Sequence, residues 1–327
     1  MLVIAAIVVV AAVRVMDSGG VIEAQSVAVL PFANVGENPE LEYLSEGLTE
    51  DIINRLSRVP ELKVIARDSA FQYKGVSIDP EQVGRELRVR AILTGRIVQR
   101  DLSLSITAEL VDTRDRRQIW GERYERHAGD VQGLQSELAQ EIVTNLRPQF
   151  PGDDRAVVTR TYTEDADAYE AYLKGRYFWG KRTVAAFRTS IGYFTQAVEK
   201  DPRFAPAYVG LADSYSLLTE YHAVPATETY AQAKNAVLQA LEIDPDLPEA
   251  RISLAYIRQF YEWDFEAAER EYRTVLDRNP NYATGHQWYA EYLAAMGRHA
   301  EAIAEIRKAL AGDPLSLIVN AVEANIL

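Results

Sequence analysis

The chain has 327 residues, 48% of them hydrophobic and 25% charged, which suffices for two folded domains with cores of their own. Its formal charge of −13 excludes the broad basic face that binding a phosphate backbone needs, so this portion has no nucleic-acid partner, and the charge is spread as −5 over residues 21–150 and −8 over 151–327. There is no cysteine, and His127, His222, His286 and His299 never fall three or four apart, so disulfides, thiolate chemistry and a histidine-built metal site drop out and no cofactor is implied.

Leu2 to Val13 is an unbroken apolar run, followed by Arg14, Val15, Met16 and an Asp17-Ser-Gly-Gly20 break. Sixteen helical residues span about 24 Å, short of the ~30 Å hydrocarbon core. A secretory signal lacks its positive n-region and cleavage site here, and a buried strand lacks alternation. Residues 1–16 are therefore expected to be a truncated transmembrane helix or signal anchor, and to hold the chain at a membrane.

From Ser26 the pattern is that of a small α/β domain. Ser26 to Phe32 reads as a buried strand, and Asn34 to Pro39 as a turn-rich loop. Leu44, Leu48, Ile52 and Leu56 recur every four residues and predict a helix over 42–57, stopped by Pro60. Leu62 to Ala66 is a second strand, so the first three elements form a βαβ unit with parallel strands. Asp79-Pro80 starts another helix, with Val83 and Leu87 inward. The period then becomes two: strands are expected over 91–99, over Leu102 to Leu110, and over 118–124, before a last helix with Leu134, Leu138, Ile142 and Leu146 inward. The order is βαβαβββα over residues 26–147, with a linker at 148–164.

Beyond Asp165 the chain repeats. Units end at Asp201-Pro202, Asp244-Pro245, Asn279-Pro280 and Asp313-Pro314, spaced 43, 35 and 34 residues apart, so the first interval carries an insertion placed at His222 to Thr229 and its flank. Small residues recur where paired helices must approach, as at Ala233, Ala268 and Ala302. Four units begin near Ala168, and residues 315–327 restart the pattern as one unpaired helix. That helix and the short apolar start lead to the expectation that the natural chain continues at both ends.

Two apparent catalytic signals fail on mechanism. Gly175-Arg-Tyr-Phe-Trp-Gly-Lys181 approximates a phosphate-binding loop, but Arg182 stands where Ser or Thr must hold Mg²⁺, and its aromatics have helical spacing. Glu46, Glu50, Asp51 and Arg67 are polar residues near a helix start and read as dipole partners and solvated surface.

Residues 165–327 resemble the tetratricopeptide repeat family. Residues 26–147 resemble the TolB amino-terminal-like (FlgO-like) α/β domain, on Ser26-Val-Ala-Val-Leu-Pro-Phe32, Tyr43 to Asp51, Val64 to Arg67, Gly84 to Leu87, Ile106 to Asp112 and Ile119 to Tyr124. That resemblance implies a non-catalytic domain of bacterial envelope and signalling proteins, preceded by a membrane helix and, beyond it, by a cytoplasmic kinase, cyclase or DNA-binding domain. The repeat resemblance implies an all-α superhelix lined by first helices. Aligning the units on Gly175, Ala212, Ala255 and Ala290 then puts Tyr172, Arg176, Val209, Asp213, Ile252, Tyr256, Gln287 and Glu291 in a groove for a protein or peptide, with Asp213 and Glu291 repelling a terminal carboxylate. The expected function is a protein-interaction or sensor module of a membrane-anchored signalling protein, extracytoplasmic in location. A periplasmic assembly scaffold is the alternative, and an enzyme with an unrecognised site the weakest.

Overall fold

The computed structural model describes residues 26–36, 38–101, 103–127, 133–146 and 158–327; the apolar segment 1–16 and most of the expected linker lie outside them. Strands β1 (Ser26–Val29), β2 (Ala33–Val35), β3 (Lys63–Val64), β4 (Ala91–Arg100), β5 (Ser103–Asp112) and β6 (Gln118–His127) form one mixed sheet of order β3-β1-β4-β5-β6, with β2 also on β4. β1 runs parallel to β3 and β4, as strands joined by helical crossovers must, and β4, β5 and β6 form an antiparallel meander. Every second residue of β5, from Leu104 to Asp112, is buried, which is the period the alternation predicts.

Helix α1 (Pro39–Leu56) is the first crossover, and its Leu44, Leu48, Ile52 and Leu56 stripe is buried. The one-turn α2 (Arg67–Ala70) leads to α3 (Pro80–Leu87), where Asp79 Oδ1 accepts from the Glu81 N–H at 3.1 Å. Helix α4 (Leu134–Leu146) buries Leu134, Leu138, Ile142 and Leu146 completely. Two elements depart from the expected order. β2 falls where a loop is expected, because its three residues pair with the distant Arg96 to Val98 and not with anything local. α2 is the other, and it owes its place to contacts with the far end of the chain, described below.

The second domain is four helical hairpins: α5 (Ala166–Gly180) with α6 (Val184–Lys200), α7 (Ala205–Glu220) with α8 (Ala226–Ile243), α9 (Pro248–Ile257) with α10 (Phe265–Arg278), and α11 (Ala283–Ala295) with α12 (His299–Gly312). A last helix, α13 (Leu317–Ile326), packs on α11 and α12 through Val319. Each hairpin closes alike: the N–H of Asp201, Asp244, Asn279 or Asp313 bonds back to the carbonyl of Ala197, Ala240, Val275 or Ala309, and a proline follows that cannot continue the helix. The inserted residues of the second unit go largely into longer helices, 16 and 18 residues in α7 and α8 against 13 and 14 in α11 and α12.

The alignment residues Ala212, Ala255 and Ala290 are fully buried, and Gly175, their counterpart in the first unit, is buried too. Gly175 and Gly210 share one neighbour: a Cβ on either would sit 2.5 Å from the ring of Phe194, which is itself completely buried. Alanine normally gains about 1 kcal/mol over glycine inside a helix. Here overpacking against a ring without free space outweighs that gain. Gly210→Ala is expected to lose about 1–3 kcal/mol in urea unfolding followed by circular dichroism, whereas at Gly192, where a Cβ meets nothing within 4 Å, the same change is expected to be neutral or stabilising.

Candidate interdomain binding site

The α/β domain lies against the inner helices of the repeat array. Gly47 of α1 makes room for Leu173 of α5, whose Cδ2 would stand 2.7 Å from any added Cβ. Around that contact Tyr43 Oη donates to Glu170 Oε1 at 3.1 Å and Tyr169 Oη to Asp51 Oδ2 at 3.2 Å. Arg55 reaches the carbonyls of Val158 and Arg160 at 3.1 and 2.7 Å, which ties the described end of the expected linker to α1. Further along, Arg58 pairs with Glu249 of α9 at 2.9 Å, and Asn281 donates to the Pro60 carbonyl at 2.7 Å. The last unit closes the ring. The Ala66 N–H bonds to the Gly312 carbonyl at 2.9 Å, and Asp313 Oδ1 accepts from both the N–H and the hydroxyl of Ser69 at 2.9 and 2.5 Å.

The centre of this seam is Glu50, 5% exposed, whose carboxylate faces Arg176 of α5 and, at 3.3 Å, Arg67 Nε. Burial alone would raise Glu50, but the two guanidiniums outweigh it and hold the carboxyl below its usual range. This corrects the solvated-surface reading of Glu46, Glu50, Asp51 and Arg67. Arg176 and Tyr169, more than a hundred positions downstream, cover Glu50 and Asp51, and Glu46 pairs with Arg67 at 3.1 Å beside them.

Between the two domains remains a cavity of about 220 Å³. The α/β domain contributes Glu50, Asn54, Arg58 and Arg67, and each first helix of the array adds its own residues. Six of the eight groove residues inferred from the repeat alignment line it: Tyr172, Arg176, Val209, Asp213, Ile252 and Gln287. Tyr172 is only 7% exposed, packed on Phe194 and Phe204, so it is a wall of the chamber and not an open anchor. Burial raises Asp213 to about 6 although Ser253 donates to it at 2.5 Å. Tyr256 and Glu291 lie outside the lining. Tyr256 instead packs on Phe260 and Trp288 at 4.5 and 5.1 Å and donates to Glu220 at 3.2 Å; an aromatic rim continues along the chain, with Phe260 46% exposed and Trp263, which packs on Phe265, 73% exposed. Glu291 takes a hydrogen bond from Gln287 at 3.0 Å, and burial raises its pKa.

Trp179, Arg182, Ser69, Asp313 and Glu249 also shape the site, and sequence reasoning did not single them out as site residues. For Arg182 a signal was present, since it is the residue that breaks the apparent phosphate loop; the helix α5 runs through that loop to Gly180. For Ser69 and Asp313 no local signal exists. His286 is structural: its ring nitrogens lie 2.5 Å from Glu305 Oε2 and 2.9 Å from the Pro280 carbonyl. Among the described residues no group of three or more His, Asp or Glu side chains is arranged to hold a metal ion.

Residues 23–143 match the family described as HilA/YgeH-like transcriptional regulator, second domain. The chain is 32% identical over 235 residues to the Rhizobium meliloti (strain 1021) protein named "Putative adenylate cyclase 3", covering 70% of this chain and 39% of that one. The chain thus spans about two fifths of that relative's length. Among solved structures, a thermophilic TPR protein of Thermus thermophilus aligns at 18% identity and a TM-score of 0.42 over 59% of this chain and 90% of its own. TolB from Acinetobacter baumannii aligns at 15% identity and 0.30 over 39% of this chain and 29% of its own. The chain is a small α/β domain followed by tetratricopeptide-like repeats.

The clasp at Asp313 carries a pH signature. Burial comes first among its causes and raises this 7% exposed carboxyl from 3.8 to about 6 despite the Ser69 hydrogen bonds. An acid raised on folding binds more protons in the native state, so its contribution is full below pH 3.8 and is lost as pH rises through about 6. Asp313→Asn keeps the acceptor for Ser69 and removes the titration. Urea unfolding should find the variant more stable than the parent at pH 7.5 by up to about 3 kcal/mol, with the difference vanishing near pH 4.

Proposed function

We propose that this chain is the non-catalytic regulatory module of a longer bacterial signalling protein, in which the α/β domain and the repeats act as one closed unit that binds a protein partner at its aromatic rim. The observation that carries this reading is the docking of α1 inside the array. With Glu50, Arg58 and Ser69 bonded to the first, third and last units, an event at those units is felt by the α/β domain, and through it by whatever precedes it in the chain. The inner wall beside α5 is taken by the chain's own helix, so a peptide is read at the surface still free: Tyr256, Phe260 and Trp263, with Glu291 nearby. Aromatic side chains of this kind supply contact area at low entropic cost.

The wider setting rests on two likenesses and one feature of the sequence. The Rhizobium relative is named as a cyclase and is much longer than the matched segment, the α/β domain matches the second domain of transcriptional regulators, and Leu2 to Met16 is apolar enough to anchor a chain. Together they support an output domain on the far side of a membrane, with the described domains extracytoplasmic. Among the described residues no helix is long and apolar enough to cross a membrane, so residues 1–16 carry that part of the reading.

Photocrosslinking from position 260 in the host cell, with exposed Arg188 on the outer helix α6 as the control site, tests the partner. A protein captured at 260 and not at 188 is expected to bind the purified chain, and Phe260→Ala or Trp263→Ala should weaken its Kd by about tenfold with unchanged melting. Undiminished affinity in both variants, or equal capture at position 188, would remove the rim from the account.

A further inference from the structure

The walls of the interdomain cavity hold five arginines, and four are paired with acids of this chain: Arg55 with Asp51, Arg58 with Glu249, Arg67 with Glu46 and Glu50, and Arg176 with Glu50. Arg182 is the exception. Its guanidinium carbon lies 3.8 Å from the centre of the Trp179 ring, and among the described residues it has no carboxylate within ion-pair distance and no hydrogen bond to its side chain. Arg176 approaches the same ring at 4.5 Å. Asp213 feels the charges of Arg176 and Arg182, but its hydrogen bond goes to Ser253 and neither arginine reaches it as an ion pair.

A guanidinium lining a cavity with no carboxylate within ion-pair distance is costly unless something else comes close enough to pair with it. Burial pulls Arg182 below its ordinary range, the neighbouring Arg176 and Arg67 add to that, and the more distant charge of Asp68 only partly opposes it. Its backbone lies in the left-handed region at φ 51°, just beyond the end of α5. The stack on Trp179 fixes the plane of the fork without using any of its five N–H donors. Beyond the arginines the lining turns apolar at Val209, Leu217 and Ile252. At about 220 Å³ the space is smaller than the roughly 300–1,000 Å³ of drug-sized ligand sites, so it suits a small metabolite.

We propose that the interdomain cavity binds a small organic oxyanion, its carboxylate or phosphate taken by the unpaired Arg182 beside Trp179 and its apolar body by Val209, Leu217 and Ile252. Such a ligand touches the repeat array and lies under α1, so it stabilises the closed unit in preference to any opened form. This deepens the regulatory reading above, on which it rests for its purpose but not for its existence.

The test is calorimetric titration of the full chain with benzoate, succinate and inorganic phosphate at millimolar concentration, with thermal melting alongside. At least one probe is expected to bind and to raise the melting temperature, and preference for benzoate and succinate over phosphate, or the reverse, identifies the anion. Arg182→Gln should weaken that binding by about tenfold or more, and Arg182→Lys, which keeps the charge and loses the fork, by less. Arg188→Gln, on the outer surface, should change nothing. Absence of binding by all three probes overturns the site, and so does affinity unchanged in a folded Arg182→Gln chain. Should that variant melt early, the Arg182→Lys titration decides in its place, with parental affinity for every probe counting against the site. Binding here without a partner at position 260 would keep the cavity and discard the rim, and the opposite pair of results would do the reverse.

Discussion

Glu50 is an acid in the middle of a helix with nowhere to go but into the other domain. Its carboxylate is shared by Arg176, from the first repeat, and Arg67, at the start of α2, and all three side chains are largely withdrawn from water. Taking such charges from solvent costs several kcal/mol each, so the arrangement is tolerated only because each finds opposite charge at close range. Loss of either arginine would leave a buried carboxylate underpaired. This mutual dependence specifies one docking position more sharply than apolar packing would, since sliding α1 by a turn along α5 separates every pair at once.

The rest of the architecture follows from that placement. An array of helical hairpins contacts only its neighbours and has no long-range contact of its own to fix its curvature. Here the α/β domain supplies one. It touches the first unit through α1, the third through Arg58 and Glu249, and the last through Ala66, Ser69, Gly312 and Asp313. The distance between terminal units is thereby tied to the sheet-and-helix body of the first domain. The seam is also rich in titratable groups, of which Asp213 and Asp313 are both raised to about 6 by burial.

Enclosure has a second effect. The inner faces of the first helices bear Tyr172, Val209 and Ile252, which in an open array would be the surface a peptide covers. With α1 in place they become the wall of a small chamber, and the surface that remains outside moves to the rim formed by Tyr256, Phe260 and Trp263. Residues at equivalent steps of successive units are thus divided between an inside and an outside.

Much of this was legible in the chain itself. Period-two and period-3.6 patterns set the strands and helices of the first domain because local side-chain direction follows backbone geometry. The Asp-Pro and Asn-Pro breaks set the hairpins because proline cannot continue a helix. The small residues at Gly175, Ala212, Ala255 and Ala290 marked where helices approach, and six of the eight residues read from them line one cavity. What the sequence by itself determined, then, was every element whose cause lies within a few residues of it. What only the tertiary structure decided was how the two domains meet. β2 exists through pairing with β4, α2 sits where Gly312 and Asp313 hold it, and Glu50 is buried because Arg176 arrives from 126 residues away. Such contacts have no local period or motif, since their free energy arises only when distant segments exclude water from each other's charges.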